Sequence, residues 1–181
     1  MNMTKVGLIG LVCLLFLGIF SMALAREAKP EMTVPSSTPI EYILPYPGIL
    51  PDHPLYVFKI FRDWLLLVLI TSPERKVEFE LLTAEKRLNM GLSLVGNHKK
   101  ELALKTFTDG IHILGEGENQ LRNVNKNQPG VVANLKERYK KSLLKHIESV
   151  TQIRTQFSQN EVSKIDLLLK KLTELQTNLS L

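Results

Sequence analysis

Residues 72–96 read SPERKVEFELLTAEKRLNMGLSLVG, and this stretch decides the fold. Ser72 followed by Pro73 marks a helix start. The serine side chain accepts from a first-turn N–H, and proline loses nothing at a position whose N–H has no helical partner. Val77, Leu81, Ala84, Leu88, Gly91/Leu92 and Val95 then recur at alternating steps of four and three. That spacing lays an apolar stripe along one helix face. Gly96 predicts the end, so helix 2 is expected to run to about Val95. Glu78, Glu80 and Glu85 are spread around it, with basic neighbours such as Lys76. They predict a solvated charged face worth a few tenths of a kcal/mol per pair.

The same pattern continues downstream. Helix 3 is expected from near His98 towards Asn125, with Leu104, Phe107, Ile111, Leu114, Leu121 and Val124 on one stripe. Gly110, Gly115 and Gly117 each weaken a helix by up to about 1 kcal/mol relative to Ala, which predicts a break or kink between them. Pro129-Gly130 predicts a turn. Helix 4 follows, carrying Val132, Leu135, Tyr139, Leu143, Ile147, Val150, Ile153 and Phe157. Ser158 with Glu161 is a capping box, opening helix 5 with Val162, Ile165, Leu168/Leu169, Leu172, Leu175 and Leu179. No strand-like alternation appears after residue 55. Short turns between long amphipathic helices make antiparallel neighbours. The expected fold is all-α, an up-down bundle of about four long helices.

Upstream, helix 1 is expected from Pro54 to Ile70, with Asp52 as its cap. From Leu55 to Ile70, thirteen of sixteen residues are apolar, and Lys59, Arg62 and Asp63 share one face. The run Trp64 to Ile70 is apolar all round, which predicts enclosure by the bundle, alongside it or capping one end. The other reading of Trp64, Leu65, Leu66 and Leu69 is a surface for a partner or membrane interface.

Seven of the nine prolines fall between Pro30 and Pro54. Residues 26–41 are polar and proline-punctuated, a spacer. Residues 42–53 also hold Tyr42, Ile43, Leu44, Tyr46, Ile49 and Leu50, so they are expected to lie extended against a helical domain covering 42–181. Residues 1–25 read as an export signal: Lys5, then fifteen uncharged residues from Val6 to Phe20, then Ala23 and Ala25 as the small residues of a cleavage site. The rival reading is an uncleaved membrane anchor, since Val6 to Ala25 is twenty residues without charge and a helix that long spans about 30 Å. Either reading places the remainder outside the cytoplasm, secreted, periplasmic or at the cell surface.

Composition bounds the rest. The chain has 181 residues, a net charge of +5 and one cysteine, Cys13, inside the apolar run. One ordinary domain fits that length, held by packing without disulfides. No Gly-x-Ser-x-Gly, P-loop or dinucleotide fingerprint is present, so an enzyme is not expected, nor a cofactor or small-molecule substrate.

The opening segment resembles a known family. Pro47-Gly48-Ile49-Leu50-Pro51-Asp52, Pro54-Leu55-Tyr56, Lys59 and Arg62-Asp63-Trp64 come in order. Ser72-Pro73-Glu74-Arg75-Lys76-Val77-Glu78 follows, then Ala84-Glu85-Lys86-Arg87-Leu88. Over roughly residues 42–95 this is similar to bacterial exported proteins of domain-of-unknown-function family 5667. The resemblance implies an exported helical domain and carries no activity with it.

Three polar features remain. Residues 131–157 hold six basic and two acidic residues. Lys136, Arg138, Lys140, Lys141 and Lys145 among them are candidates for an anionic partner, such as lipid headgroups, a cell-wall polyanion or an acidic protein, rather than nucleic acid. The bland alternative is an ordinary solvated face. His112 and Glu116, at i and i+4, are weak metal candidates that Gly115 would disorient. Leu172-Thr173-Glu174-Leu175-Gln176 resembles a pattern of small helical periplasmic stress chaperones. The expected function is therefore a non-enzymatic extracytoplasmic helical module that binds a protein partner or an anionic envelope surface. A metal-binding bundle and a chaperone-like holdase are the alternatives.

Overall fold

The computed structural model describes residues 41–124 and 129–180. The signal or anchor, Ala23 and Ala25, and the spacer up to residue 40 lie outside the described residues. Five α-helices make up the described chain: α1 (Tyr56–Leu69), α2 (Pro73–Gly96), α3 (Lys100–Arg122), α4 (Pro129–Ile153) and α5 (Gln159–Ser180). A 3-10 turn, Arg154–Gln156, joins the last two.

Local chemistry sets the boundaries. Ser72 Oγ accepts from the Arg75 N–H at 3.4 Å, with Pro73 in the first turn. At the other end, α2 runs through Gly96, because the residue that turns the chain is His98, at φ 60°. The Lys99 N–H donates to Leu94 O at 2.9 Å and the His98 N–H to Val95 O at 3.0 Å. This is a Schellman closure with a histidine in the left-handed position usually given to glycine. The glutamate half of the α5 capping box forms: the Ser158 N–H and Oγ–H both donate to Glu161, at 3.0 and 2.7 Å, while the Glu161 N–H donates to Ser158 O at 2.9 Å. Pro129 opens α4 instead of marking a turn before it. Phe157 lies beyond the 3-10 turn in extended backbone.

Asp52 does not cap α1. It pairs with Lys99 at 2.6 Å, and α1 starts two residues later than expected, at Tyr56.

Two helix hairpins build the core. α2 and α3 run antiparallel and form the most closely packed pair; α4 and α5 form the second hairpin. Arg138 and Tyr139 lie beside Glu78 and Glu80, and Ser142 and His146 beside Glu85 and Ala84, so α4 runs parallel to α2. Lys100 reaches the Gln156 carbonyl while Gly115 faces Leu175, so α5 runs parallel to α3. α3 and α4 touch little. The bundle alternates up and down along the chain, but the step from α3 to α4 crosses the diagonal. The stripes fill its middle: Leu81, Leu88, Phe107, Leu114, Tyr139, Leu143, Ile165 and Leu172 are among the fully buried side chains.

α3 does not break at its glycines. Gly110 and Gly117 lie where α2 and α4 approach too closely for a side chain, whereas Gly115 has ordinary room beside Leu175. A Cβ on Gly117 would sit 2.1 Å from Tyr139 Oη, and one on Gly110 would sit 2.8 Å from Arg87 Cβ. On α2, a Cβ at Gly91 would sit 2.2 Å from the Phe107 ring. Close backbone approach offsets the propensity cost that predicted a kink.

Residues 42–53 form a strap along α2. Tyr42 Oη donates to Glu85, Asn89 Nδ2 donates to Pro45 O at 3.0 Å, and Lys59 Nζ donates to Pro47 O at 2.8 Å. Asp52 meets Lys99 at the far end of α2. The strap thus runs in the same direction as the helix beneath it. Tyr42→Phe deprives the buried Glu85 carboxyl of one donor, leaving Ser142, and is expected to cost about 1 kcal/mol, read from urea unfolding.

Candidate functional site

α1 is not enclosed. It makes no extensive contact with another helix, and its hold on the body is local. Tyr56 is buried beneath the Arg87 guanidinium, 5.1 Å from the ring centroid. Lys59 bonds Pro47 O and approaches Met90 Sδ at 3.8 Å. Burial there pushes the Lys59 ammonium down to about 8.

The helix is polarised in the sense opposite to an ordinary surface helix. Lys59, Asp63, Leu67 and Ile70 are the half-buried positions, and they share the inward face. Val57, Phe58, Ile60, Phe61, Trp64, Leu65, Leu66, Val68 and Leu69 are exposed. Val57 is 70% exposed and Leu69 65%, values that an isolated core-facing stripe never shows. Phe61 and Trp64 stack at 5.9 Å between centroids. The expected enclosure fails because α2 already spends its apolar stripe on α3 and α4. The face it leaves towards α1 is occupied by Arg87, Met90 and the strap. These exposed side chains share the outward surface of α1. Trp64, Leu65, Leu66 and Leu69 all belong to it. Val57, Phe58, Phe61 and Val68 belong too and were missed. Their signal was legible: a helix apolar on every side, with two of its three charges, Lys59 and Asp63, one turn apart.

The basic residues of α4 are dispersed. Arg138 pairs with Glu78 at 3.1 Å, Lys141 with Glu137 at 3.5 Å and Lys145 with Glu148 at 2.9 Å. Lys140 is exposed. Lys136 stands apart at a cleft of about 330 Å³ with Glu118, Arg122, Val132 and Asn178. Three of the five cations thus already have a carboxylate. His112 and Glu116 lie 4.0 Å apart on the surface, both more than half exposed. Among the described residues no three His, Cys, Asp or Glu side chains converge on a point.

Of Glu78, Glu80 and Glu85, expected on a solvated face of α2, two are not solvated. Glu80 and Glu85 are each only 5% exposed, in a polar layer between α2, α3 and α4. Burial pushes Glu80 up to about 7, and its Oε2 has no hydrogen-bond partner among the described residues. Glu85 is raised for the same reason and accepts from Tyr42. Tyr139 Oη donates to Leu114 O at 2.7 Å, and burial raises its phenol. Ser142 Oγ lies 3.4 Å from His146 Nδ1, which invites comparison with a nucleophile and base. The same Nδ1 sits 2.8 Å from Ser142 O, a pure acceptor, so it carries the proton and cannot take one from the hydroxyl. Both residues are sealed, at 0% and 1% exposure. This layer orients helices.

The fold and its surface define a class: an all-α bundle of two hairpins that carries an outward-facing apolar helix beside an extended strap. The match to the domain of unknown function DUF5667 extends over residues 48–160, more than half of the chain, and the chain belongs to that family. The matched span runs from the strap through α4, well past the segment that carried the resemblance. No curated protein and no solved structure matches the chain.

Proposed function

We propose that this protein is a non-enzymatic extracytoplasmic docking module whose working surface is the outward face of α1. One observation carries the reading: Lys59 and Asp63 face the body of the protein, while most of the large apolar side chains of α1 face away with Arg62 at their edge. Leaving such side chains in water forgoes roughly 1.5–3 kcal/mol each, a cost that association removes. The export-type N-terminal sequence supports placement outside the cytoplasm. The α4 cations give weaker support to an anionic partner, because carboxylates already meet three of them.

The test is photo-crosslinking in living cells from a photoreactive residue at Phe61, with the exposed Lys105 on α3 as the control position. Adducts to protein or lipid from position 61 alone are expected. An absence of adducts there, or equal labelling from both positions, sinks the docking role. A C-terminal alkaline phosphatase fusion, active only after export, tests the compartment.

A further inference from the structure

We infer that the outward face of α1 rests in the acyl–headgroup boundary of a lipid bilayer, so that the helix lies in a membrane surface and not in a protein groove. This rests on the docking reading and names the partner. The width of the face is the first argument. At 100° per residue, the exposed positions from Ile60 round to Leu66 sweep about 240° of the helix. A partner helix covers a stripe of little more than 100°. A fluid apolar medium wraps the whole arc.

Length and charge agree. α1 has 14 residues, about 21 Å of helix. No described helix is long and apolar enough to cross a membrane, so α1 lies along a surface instead of spanning it. The one charge within the arc, Arg62, stands near its border and pairs with Asp63 at 2.7 Å, so the arc carries no lone charge. Its stem lies with the apolar layer while the ion-paired head stays at headgroup level.

On the anchor reading of residues 1–25, the chain itself supplies the second attachment. Val6 to Ala25 is a twenty-residue uncharged run, long enough for a hydrocarbon core of about 30 Å. From Ala25 to Tyr42, seventeen residues reach at most about 60 Å when extended. A helix held that close to a bilayer needs little affinity of its own, because the tether sets a high local concentration.

Trp64 makes the test direct: it is the one tryptophan in the chain, and it lies on the exposed arc. The full chain is reconstituted into phosphatidylcholine vesicles containing anionic phosphatidylglycerol. Trp64 emission is expected to move to shorter wavelength and to lose most of its quenching by acrylamide. It should gain quenching by lipids brominated high on the acyl chain. The double variant Leu65→Glu/Leu69→Glu, with unchanged helical circular dichroism, should return the emission to that of a water-exposed indole. Water-like emission from the wild-type protein in vesicles overturns the inference. So does a short-wavelength emission that ignores brominated lipid and disappears on dilution, which identifies a second copy as the occupant. A water-exposed Trp64 together with protein adducts from position 61 in cells retires the lipid and leaves docking standing. No adducts at all retire both.

Discussion

Gly91→Ala and Gly117→Ala each lower the stability of the fold by about 2 kcal/mol, a fall in Tm of about 4–8 °C. Intrinsic propensity alone gives the opposite sign, since alanine is better than glycine in a helix interior by about 1 kcal/mol. The decision lies in what the new methyl meets. At Gly91 it would be 2.2 Å from the ring of Phe107, which is 1% exposed and enclosed. At Gly117 it would be 2.1 Å from Tyr139 Oη, whose hydrogen bond to Leu114 O at 2.7 Å is lost if the phenol retreats. Gly115 is the internal control. Its nearest neighbour would be Leu175 Cδ2 at 3.7 Å, an ordinary contact. Gly115→Ala therefore gains up to about 1 kcal/mol. Thermal unfolding of the three variants by circular dichroism reads the signs. Three changes of one sign would mean that the helices are not packed through their glycines.

Glu80→Gln removes a pH dependence of about 2–3 kcal/mol. The folded-state carboxyl is raised to about 7 from an ordinary 4.5 by burial, with Glu116 on α3 adding to the shift and Lys76 on α2 opposing it. Tyr139 on α4 faces the same charge. A raised acid favours the fold while it is protonated. Its contribution is therefore fully present below about pH 4.5 and is lost as pH rises to about 7. Glutamine keeps the shape and never ionises. The stability of Glu80→Gln relative to wild type should climb across that window and level off above it. His146, whose protonation burial disfavours, weakens both proteins alike in acid, and Glu85 is likewise common to both. The difference in urea midpoints at pH 4.5, 6 and 8 isolates Glu80. A flat difference sinks the claim that its carboxyl is held in a poorly solvated layer.

The bundle was legible because stripe spacing and caps are local. Val77, Leu81, Ala84 and Leu88 announced the α2 core face, and Ser72 and Ser158 announced two helix starts. What sequence could not carry was partner identity. Glu80 and Glu85 share the spacing of any solvated glutamates on a helix, and only the diagonal arrival of α4 buries them. Gly110 and Gly117 look like helix weaknesses until the neighbouring backbone is present. For α1 the misreading was of another kind. An all-round apolar helix demands cover, and the sequence was read as though the bundle had to provide it. The direction in which Lys59 and Asp63 point reverses that, and it depends on the strap carbonyls that hold Lys59.

The strap also sets how the domain answers a mechanical load. Its fastenings come in order along the strap: Glu85 and Asn89 on α2, Lys59 on α1, and Lys99 just past the end of α2. A pull on residue 41 directed away from the helix meets them singly and peels them at low force. The same pull directed back along the helix axis loads them together in shear, and the domain resists. Stretching single molecules from residue 41 in the two geometries would show two distinct rupture forces, the larger in shear.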